Sequence, residues 1–228
     1  MPETKKRKQA PSDDERLRHV EKLENENGRL KSLLLTDELT GLYNKRFFYL
    51  QLEVETARAR RTGQPCTLIA LDLDNFKNIN DTFGHSIGDQ LLYQFAGLLG
   101  KSVRPTDFAC RFGVDKFFII MPSSGLTEGI DLSKQIQTSL KGADFTAYTA
   151  EGRRVSVSIG LAVYKSFHNM SVDDFFKLAD DNLCTAKKSG KNHIFHDLDA
   201  RVENTAVNNA ERKALSVRFE EINEMDEK

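Results

Sequence analysis

The sequence predicts a mixed α/β fold: a ferredoxin-like βαββαβ core with flanking helices, preceded by a coiled-coil helix. Three observations predict it. The apolar run 67–74 carries carboxylates only at its end, which is typical of a buried strand. Two short apolar stretches, 108–112 and 117–121, flank the turn 113–116 and indicate a hairpin. The alternating segment 155–163 indicates a fourth strand, and segments of helical periodicity lie between the strands.

The composition is that of one soluble domain with extensions. The 228 residues include 33 Lys or Arg and 34 Asp or Glu, so the formal net charge is −1. This balance argues against a nucleic-acid partner. The sequence has no run of about 20 apolar residues, which argues against a membrane partner. We therefore expect a cytoplasmic protein. Cys66, Cys110 and Cys184 lack zinc-like spacing and are expected to be buried thiols.

The N-terminal part divides into two segments. Residues 1–15 are charged and almost devoid of apolar side chains, which predicts a disordered tail. Residues 16–36 carry a heptad pattern, which predicts a coiled-coil helix that forms a homodimer. Its core positions are Val20, Leu23, Asn27, Leu30 and Leu34. The alternative is a single amphipathic helix that lies on the domain.

The remaining helices follow from their periodicity. They are expected near 47–57, from about Asp89 to Leu99, and at 126–140 and 172–188. Together with the strands they form a domain at 37–196. The polar segment 197–228 is either a C-terminal docking helix or a disordered acidic tail.

Carboxylates gather at the end of the first strand. Asp72 and Asp74 end that strand, and Asp115 lies in the hairpin turn. In a ferredoxin-like sheet these two places are neighbours, so two carboxylates can meet at one cation. Oxygen ligands of this kind suit Mg²⁺, which usually binds together with phosphates.

One dense pattern points to a family. Residues 72–89, Asp-Leu-Asp-Asn-Phe-Lys-Asn-Ile-Asn-Asp-Thr-Phe-Gly-His-Ser-Ile-Gly-Asp, resemble the nucleotide-binding stretch of GGDEF domains, the diguanylate cyclase family. Segments 37–46, 111–117 and 155–160, with 179–192, resemble further motifs of that family. The resemblance implies a nucleotide-cyclase-like fold. It also implies an enzyme that joins two GTP molecules into cyclic di-GMP across a dimer, with one GTP per domain.

The resemblance also assigns roles to individual residues. One group would hold Mg²⁺: Asp72, the carbonyl group of Leu73, and Asp115. A second group would bind the nucleotide, with the guanine edge at Asn80 and Asp89 and the phosphates at Lys187 and Lys191. These side chains suit those tasks, because an Asp accepts from guanine N–H groups and a Lys is a point charge for phosphate.

The sequence departs from the family in the signature loop. It reads Gly113-Val114-Asp115-Lys116-Phe117, so the second glycine and the second acid are missing. A β-branched Val114 disfavours a positive φ and should crowd the substrate. Each unit-charge pair near a divalent cation is worth roughly 4 kcal/mol at about 4 Å, so Lys116 should oppose Mg²⁺. We therefore expect a chain that is not an enzyme, that requires no cofactor and that admits Mg²⁺ only in a vestigial site.

A second motif survives upstream of the loop. Arg104 and Asp107 form an Arg-x-x-Asp five residues before Gly113, which resembles the spacing of the family's product-binding inhibitory site. In some members a further arginine, from the helix before the first strand of a neighbouring domain, completes that site, and Arg58 lies at the matching offset. The leading hypothesis is a catalytically inactive receptor for cyclic di-GMP that acts on an unidentified protein partner. The alternatives are a weak or active diguanylate cyclase, or an interaction scaffold that binds GTP with Lys116 on a phosphate.

Overall fold

The structure, a computed structural model, describes residues 35–142, 155–166 and 170–196. Ten elements follow one another in these ranges: α1 Lys45–Thr62, β1 Cys66–Leu73, α2 Phe76–Phe83, α3 His85–Ser102, β2 Phe108–Arg111, β3 Lys116–Pro122, α4 Leu126–Gly142, β4 Val157–Tyr164, α5 Val172–Lys188 and β5 Ile194–His196. The predicted tails 1–15 and 197–228, and all but the last two residues of the predicted coiled coil 16–36, lie outside the described residues.

The five strands form one sheet in the order β2-β3-β1-β4-β5. Strands β2, β3, β1 and β4 pair antiparallel in succession, and β5 joins β4 in parallel. The first four strands have the order of a ferredoxin-like βαββαβ sheet, so the predicted fold class is confirmed. The central strand β1 is buried along its whole length, because helices cover both faces of the sheet.

Two helical layers enclose the sheet. Helices α1 and α5 pack on one face with Leu68 and Ala70 of β1, and α2, α3 and α4 pack on the other face with Ile69 and Leu71. Helix α5 lies very close to β4 at Gly160, where an added Cβ atom would be 2.1 Å from the backbone nitrogen of Leu183 on α5. This contact fixes the position of α5, whose C-terminal turn reaches the end of β1.

Several predicted boundaries are corrected. Helix α3 begins at His85 rather than near Asp89, and β4 begins at Val157 rather than two residues earlier. Helix α5 matches the predicted range 172–188. Its start is fixed by a capping box, in which the Ser171 hydroxyl accepts from the Asp174 N–H at 3.0 Å and the Asp174 carboxylate accepts from the Ser171 N–H.

The cysteines differ in exposure. Cys66 and Cys110 are buried, and burial raises the pKa of the Cys66 thiol to about 12. Cys184 is exposed, so the expectation that all three thiols are buried is wrong for this residue of α5. Within the described ranges, no helix is long and apolar enough to cross a membrane.

Candidate active site

The β2–β3 hairpin lies beside the end of β1, as the sequence predicts. Asp72 and Lys116 are Cα partners in the β1–β3 register, and the Leu73 N–H donates to the Asp115 carbonyl oxygen at 3.3 Å. Asp72 is buried, and burial raises the pKa of its carboxyl group. The hydrogen bond from Lys187 opposes this rise, whereas the nearby charge of Asp115 adds to it. Two carboxylates therefore interact at this edge.

Lys116 does not stand unpaired beside these carboxylates. Its Nζ lies 2.7 Å from Oδ1 of Asp180, on α5. No local sequence pattern points to this partner, because it lies 64 positions further along the chain. Both side chains are partly exposed, so the pair is a modest contributor to stability. It offsets part of the charge that Lys116 brings to the loop, although Lys116 also acts on Asp72, where it lowers the pKa of the carboxyl group.

The donor set at this edge fits Mg²⁺. Among the described residues no group of three or more His, Cys, Asp or Glu side chains is placed to hold a metal. Mg²⁺, however, usually takes one or two carboxylates, keeps several waters and binds substrate phosphates. Asp72, the Leu73 carbonyl group and Asp115 supply such a set. A cation held by these groups would relieve the electrostatic repulsion between Asp115 and buried Asp72.

The hairpin turn has an ordinary backbone. Positive φ angles among the described non-glycine residues occur at four positions only: Asn75, Ser123, Lys191 and Asn192. Val114 is not one of them, and its side chain is 67% exposed. The valine therefore causes no backbone strain in this turn. Whether its side chain crowds a substrate stays a prediction.

Arg111 ties the hairpin to the segment before α1. Its Nε donates to the Gly113 carbonyl at 3.2 Å and its Nη2 to the Val114 carbonyl at 3.0 Å, while Nη1 lies 3.0 Å from Oδ1 of Asp37. The same Asp37 oxygen accepts from the N–H and hydroxyl of Thr40. Burial raises the pKa of Asp37, but the hydrogen bonds from Thr40 and Arg111 outweigh it and hold the pKa below its ordinary value.

Asp74 has a structural role. Its carboxylate accepts from the hydroxyls of Ser156 at 2.7 Å and Ser158 at 2.6 Å, and from the Asn192 N–H at 2.9 Å. It therefore joins the start of β4 to the loop after α5. Asp74 was predicted to be functional together with Asp72, and this prediction is corrected because its oxygens accept from three protein donors.

The two residues assigned to guanine differ in placement. Asp89 is exposed and lines a pocket of about 450 Å³ beside the first half of α3. The residues that line this pocket are Leu39, Ser86, Asp89, Gln90, Tyr93 and Gln94. Oδ1 of Asn80 is buried against Gly88, where an added Cβ atom would lie 1.9 Å from it, and it has no hydrogen-bond partner within the described part of the chain. The structure thus brings Asp89 to the pocket and Asn80 to the adjoining helix contact.

The two lysines assigned to phosphate lie near the end of β1. Nζ of Lys187 is 2.6 Å from Oδ1 of Asp72, and Nζ of Lys191 donates to Oδ1 of Asn75 at 2.6 Å. Asn75 follows Asp72 by three residues. Both ammonium groups therefore adjoin the carboxylate edge.

Arg104 and Asp107 form a tight turn on the other side of β2. The Arg104 N–H donates to Oδ2 of Asp107 at 3.1 Å, and the Asp107 N–H donates to the Arg104 carbonyl at 3.0 Å. Asp107 is only 7% exposed, and its Oδ1 has no hydrogen-bond partner among the residues described. Burial raises the pKa of this carboxyl group, whereas the hydrogen bond from the Arg104 N–H, the Arg104 charge and a hydrogen bond from the Thr106 side chain lower it.

Arg58 is exposed on α1, with Nη1 3.1 Å from Oε2 of buried Glu55. Its assignment to the site of Arg104 and Asp107 stays a prediction.

Comparisons with known proteins give one consistent result. The family model "Diguanylate cyclase, GGDEF domain" matches residues 34–193. The response regulator PleD of Caulobacter vibrioides is 36% identical over 181 residues, which cover 79% of this chain and 40% of PleD. The diguanylate cyclase DgcP of Pseudomonas aeruginosa is 36% identical over 160 residues, which cover 70% of this chain and 23% of DgcP. The chain spans less than half the length of these relatives.

A solved structure shows the same fold. The coiled coil and GGDEF domain of DgcB from Caulobacter crescentus, in complex with c-di-GMP, superimposes with a TM-score of 0.71 at 28% identity. The match covers 79% of this chain and 94% of that one.

The expectation that the chain is not an enzyme is wrong. Relatives 31–36% identical to it include proteins named diguanylate cyclases, so the family is one of enzymes. The chain belongs to the GGDEF domain family of diguanylate cyclases.

Proposed function

We propose that the chain is a diguanylate cyclase, which joins two GTP molecules into cyclic di-GMP with one GTP bound by each of two chains. The observation that carries the proposal is the interacting carboxylate pair Asp72 and Asp115, with Lys187 beside it and Lys116 paired with Asp180. This arrangement supports binding of a triphosphate even though the signature loop is altered.

Each part of GTP has a matching group in this site. Asp89 accepts from the N–H groups of the guanine edge, and Asn80 supplies an amide one helix away. Lys187 and Lys191 neutralise phosphate oxygens. To do so, each lysine must leave its present partner, Asp72 for Lys187 and Asn75 for Lys191. The side chains of this chain thereby position the triphosphate at the end of β1.

A divalent cation has a natural place beside the phosphates. Mg²⁺ held by Asp72, the Leu73 carbonyl and Asp115 would neutralise triphosphate charge and make the phosphorus more electrophilic. Lys187, which now pairs with Asp72, would be available to phosphate if that carboxylate held the cation. Lys116 has its own partner on α5, Asp180, at 2.7 Å.

The test is incubation of the full chain with GTP and Mg²⁺, followed by chromatography of the nucleotides. We expect cyclic di-GMP to form, and Asp115→Asn to lower its rate at least about a hundredfold, which corresponds to about 2.7 kcal/mol in the barrier. Asp131→Asn is the matched control, because Asp131 is an exposed acid on α4. Bound GTP that is never converted would support the scaffold function and contradict this proposal.

Two GTP sites have to meet for the reaction, so the proposal includes a homodimer. The heptad pattern at 16–36 supports pairing through that segment. The solved DgcB chain also includes a coiled coil with its GGDEF domain. Light scattering of the full chain tests this, and a monomer at high concentration with and without nucleotide would contradict it.

We also propose that cyclic di-GMP binds at Arg104 and Asp107, with Arg58 contributing a second guanidinium group. The supporting observation is Oδ1 of Asp107, which is buried and has no protein partner among the described residues. A buried carboxylate oxygen without a donor is costly, and guanine N–H groups supply donors. Arg104 is exposed and offers a planar fork for phosphate and a face for a base. The site gives the chain a cyclic di-GMP receptor function and a route to inhibition by product.

A further inference from the structure

The pocket that contains Asp89 is also lined by an aromatic side chain, Tyr93, to which no role has yet been assigned. Tyr93 is 64% exposed, which makes it one of the most exposed large apolar side chains in the described ranges. It follows Asp89 by four residues on α3, so the two side chains lie on the same face of the helix. Both line the pocket, together with the half-buried Leu39 from the segment before α1.

The chemistry of this pocket suits a flat aromatic ligand. The pocket volume of about 450 Å³ falls in the usual range for small-molecule sites, roughly 300–1,000 Å³. An exposed tyrosine ring next to an apolar side chain offers a stacking surface, and a carboxylate beside it reads the edge of the stacked ring. A carboxylate accepts hydrogen bonds, so Asp89 favours guanine, whose N1–H and N2–H₂ donate, over adenine, whose N1 accepts.

We propose that Tyr93 is a base-stacking residue of the GTP site, with the guanine ring between Tyr93 and Leu39 and its Watson–Crick edge at Asp89. This inference rests on the proposed function, because it specifies which side chains select the base of the substrate. It adds a residue that the family motif does not include. Truncation of an aromatic residue that stacks on a base usually costs about five- to a hundredfold or more in affinity.

The first experiment uses a property of the sequence. The chain contains no tryptophan, so Tyr93→Trp introduces a single indole at the pocket wall. We expect a non-hydrolysable GTP analogue to quench its fluorescence saturably, and the matching ATP analogue to do so only at much higher concentration. Lys101→Trp is the control, because Lys101 is exposed on the same helix and does not line the pocket. Binding of the GTP analogue without quenching of Tyr93→Trp would overturn the inference.

The second experiment measures affinity for the same analogue by calorimetry. Tyr93→Ala should weaken binding at least about fivefold, and Tyr93→Phe, which keeps the ring, should remain within about twofold of the unchanged chain. Alanine is the strongest helix former, so truncation at this exposed position preserves α3. If Tyr93→Ala binds as tightly as the unchanged chain, this inference fails and the proposed function stands. If the unchanged chain does not bind the analogue at all, both fail.

Discussion

Removal of Arg104 should separate the cyclic di-GMP site from the GTP site in one assay. In Arg104→Ala the exposed guanidinium group is lost, but the residue-104 backbone N–H that donates to Asp107 at 3.1 Å is retained. The turn and the Asp107 carboxylate therefore keep their positions. The loss should be confined to the contact between guanidinium and phosphate. A hydrogen bond to a charged group contributes about 1.5–3 kcal/mol, so affinity should fall about 10- to 150-fold.

The assay is calorimetric titration with cyclic di-GMP, for which we expect micromolar affinity or better in the unchanged chain, about −8 kcal/mol. Lys101→Ala serves as a matched control, because it removes an exposed cation three residues upstream. Asp72→Ala should leave this binding nearly unchanged. If instead Asp72→Ala abolished binding while Arg104→Ala had no effect, cyclic di-GMP would occupy the GTP site and the reasoning from Asp107 would be refuted.

Three further outcomes are expected. Gly160→Ala should lower the free energy of unfolding by about 3 kcal/mol, because its Cβ atom would lie 2.1 Å from the α5 backbone. Gly97→Ala, at a helix position with open space, should raise the free energy of unfolding by about 0.5–1 kcal/mol in the same urea titration. Asp37→Asn should cost about 1–2 kcal/mol at pH 7 through its bond to Arg111. The folded-state pKa of Asp37 is lowered, so its stabilisation is present above the unfolded pKa and is lost as pH falls through the folded pKa. Urea titrations across acidic pH should therefore show the free energies of unfolding of the unchanged chain and Asp37→Asn converging. A constant difference between them would contradict this. Deletion of residues 16–36 should give monomers by light scattering, and a truncated chain that remains dimeric would place the interface elsewhere.

Local patterns in the sequence predicted most of the fold. The apolar run that ends in carboxylates located β1 within one residue, and helix α5 matched its predicted range because Ser171 and Asp174 form a capping box at its start. Helix α2 was missed because it has no such signal. Its N-cap residue, Asn75, has a left-handed backbone conformation and its side chain makes no capping hydrogen bond. Strand β5 was missed because three residues are too few for a periodic pattern.

The sequence predicted where the main acidic residues of the site lie, but not the contacts around them. Asp72 and Asp115 were placed correctly at one edge, since the topology of the sheet brings β1 and the hairpin together. Their environment was not predictable, because it depends on contacts across long stretches of the chain. Asp180 on α5 forms an ion pair with Lys116. Ser156 and Ser158 donate to Asp74, which therefore has a structural role.

The central claim is that the altered loop still supports synthesis of cyclic di-GMP. The most direct measurement is the chromatographic time course of the full chain with GTP and Mg²⁺, with Asp115→Asn in parallel. The proposed function predicts cyclic di-GMP that accumulates with time in the unchanged chain and is nearly absent in the variant. Persistent GTP with no cyclic di-GMP, at protein concentrations where the chain is dimeric, would contradict it.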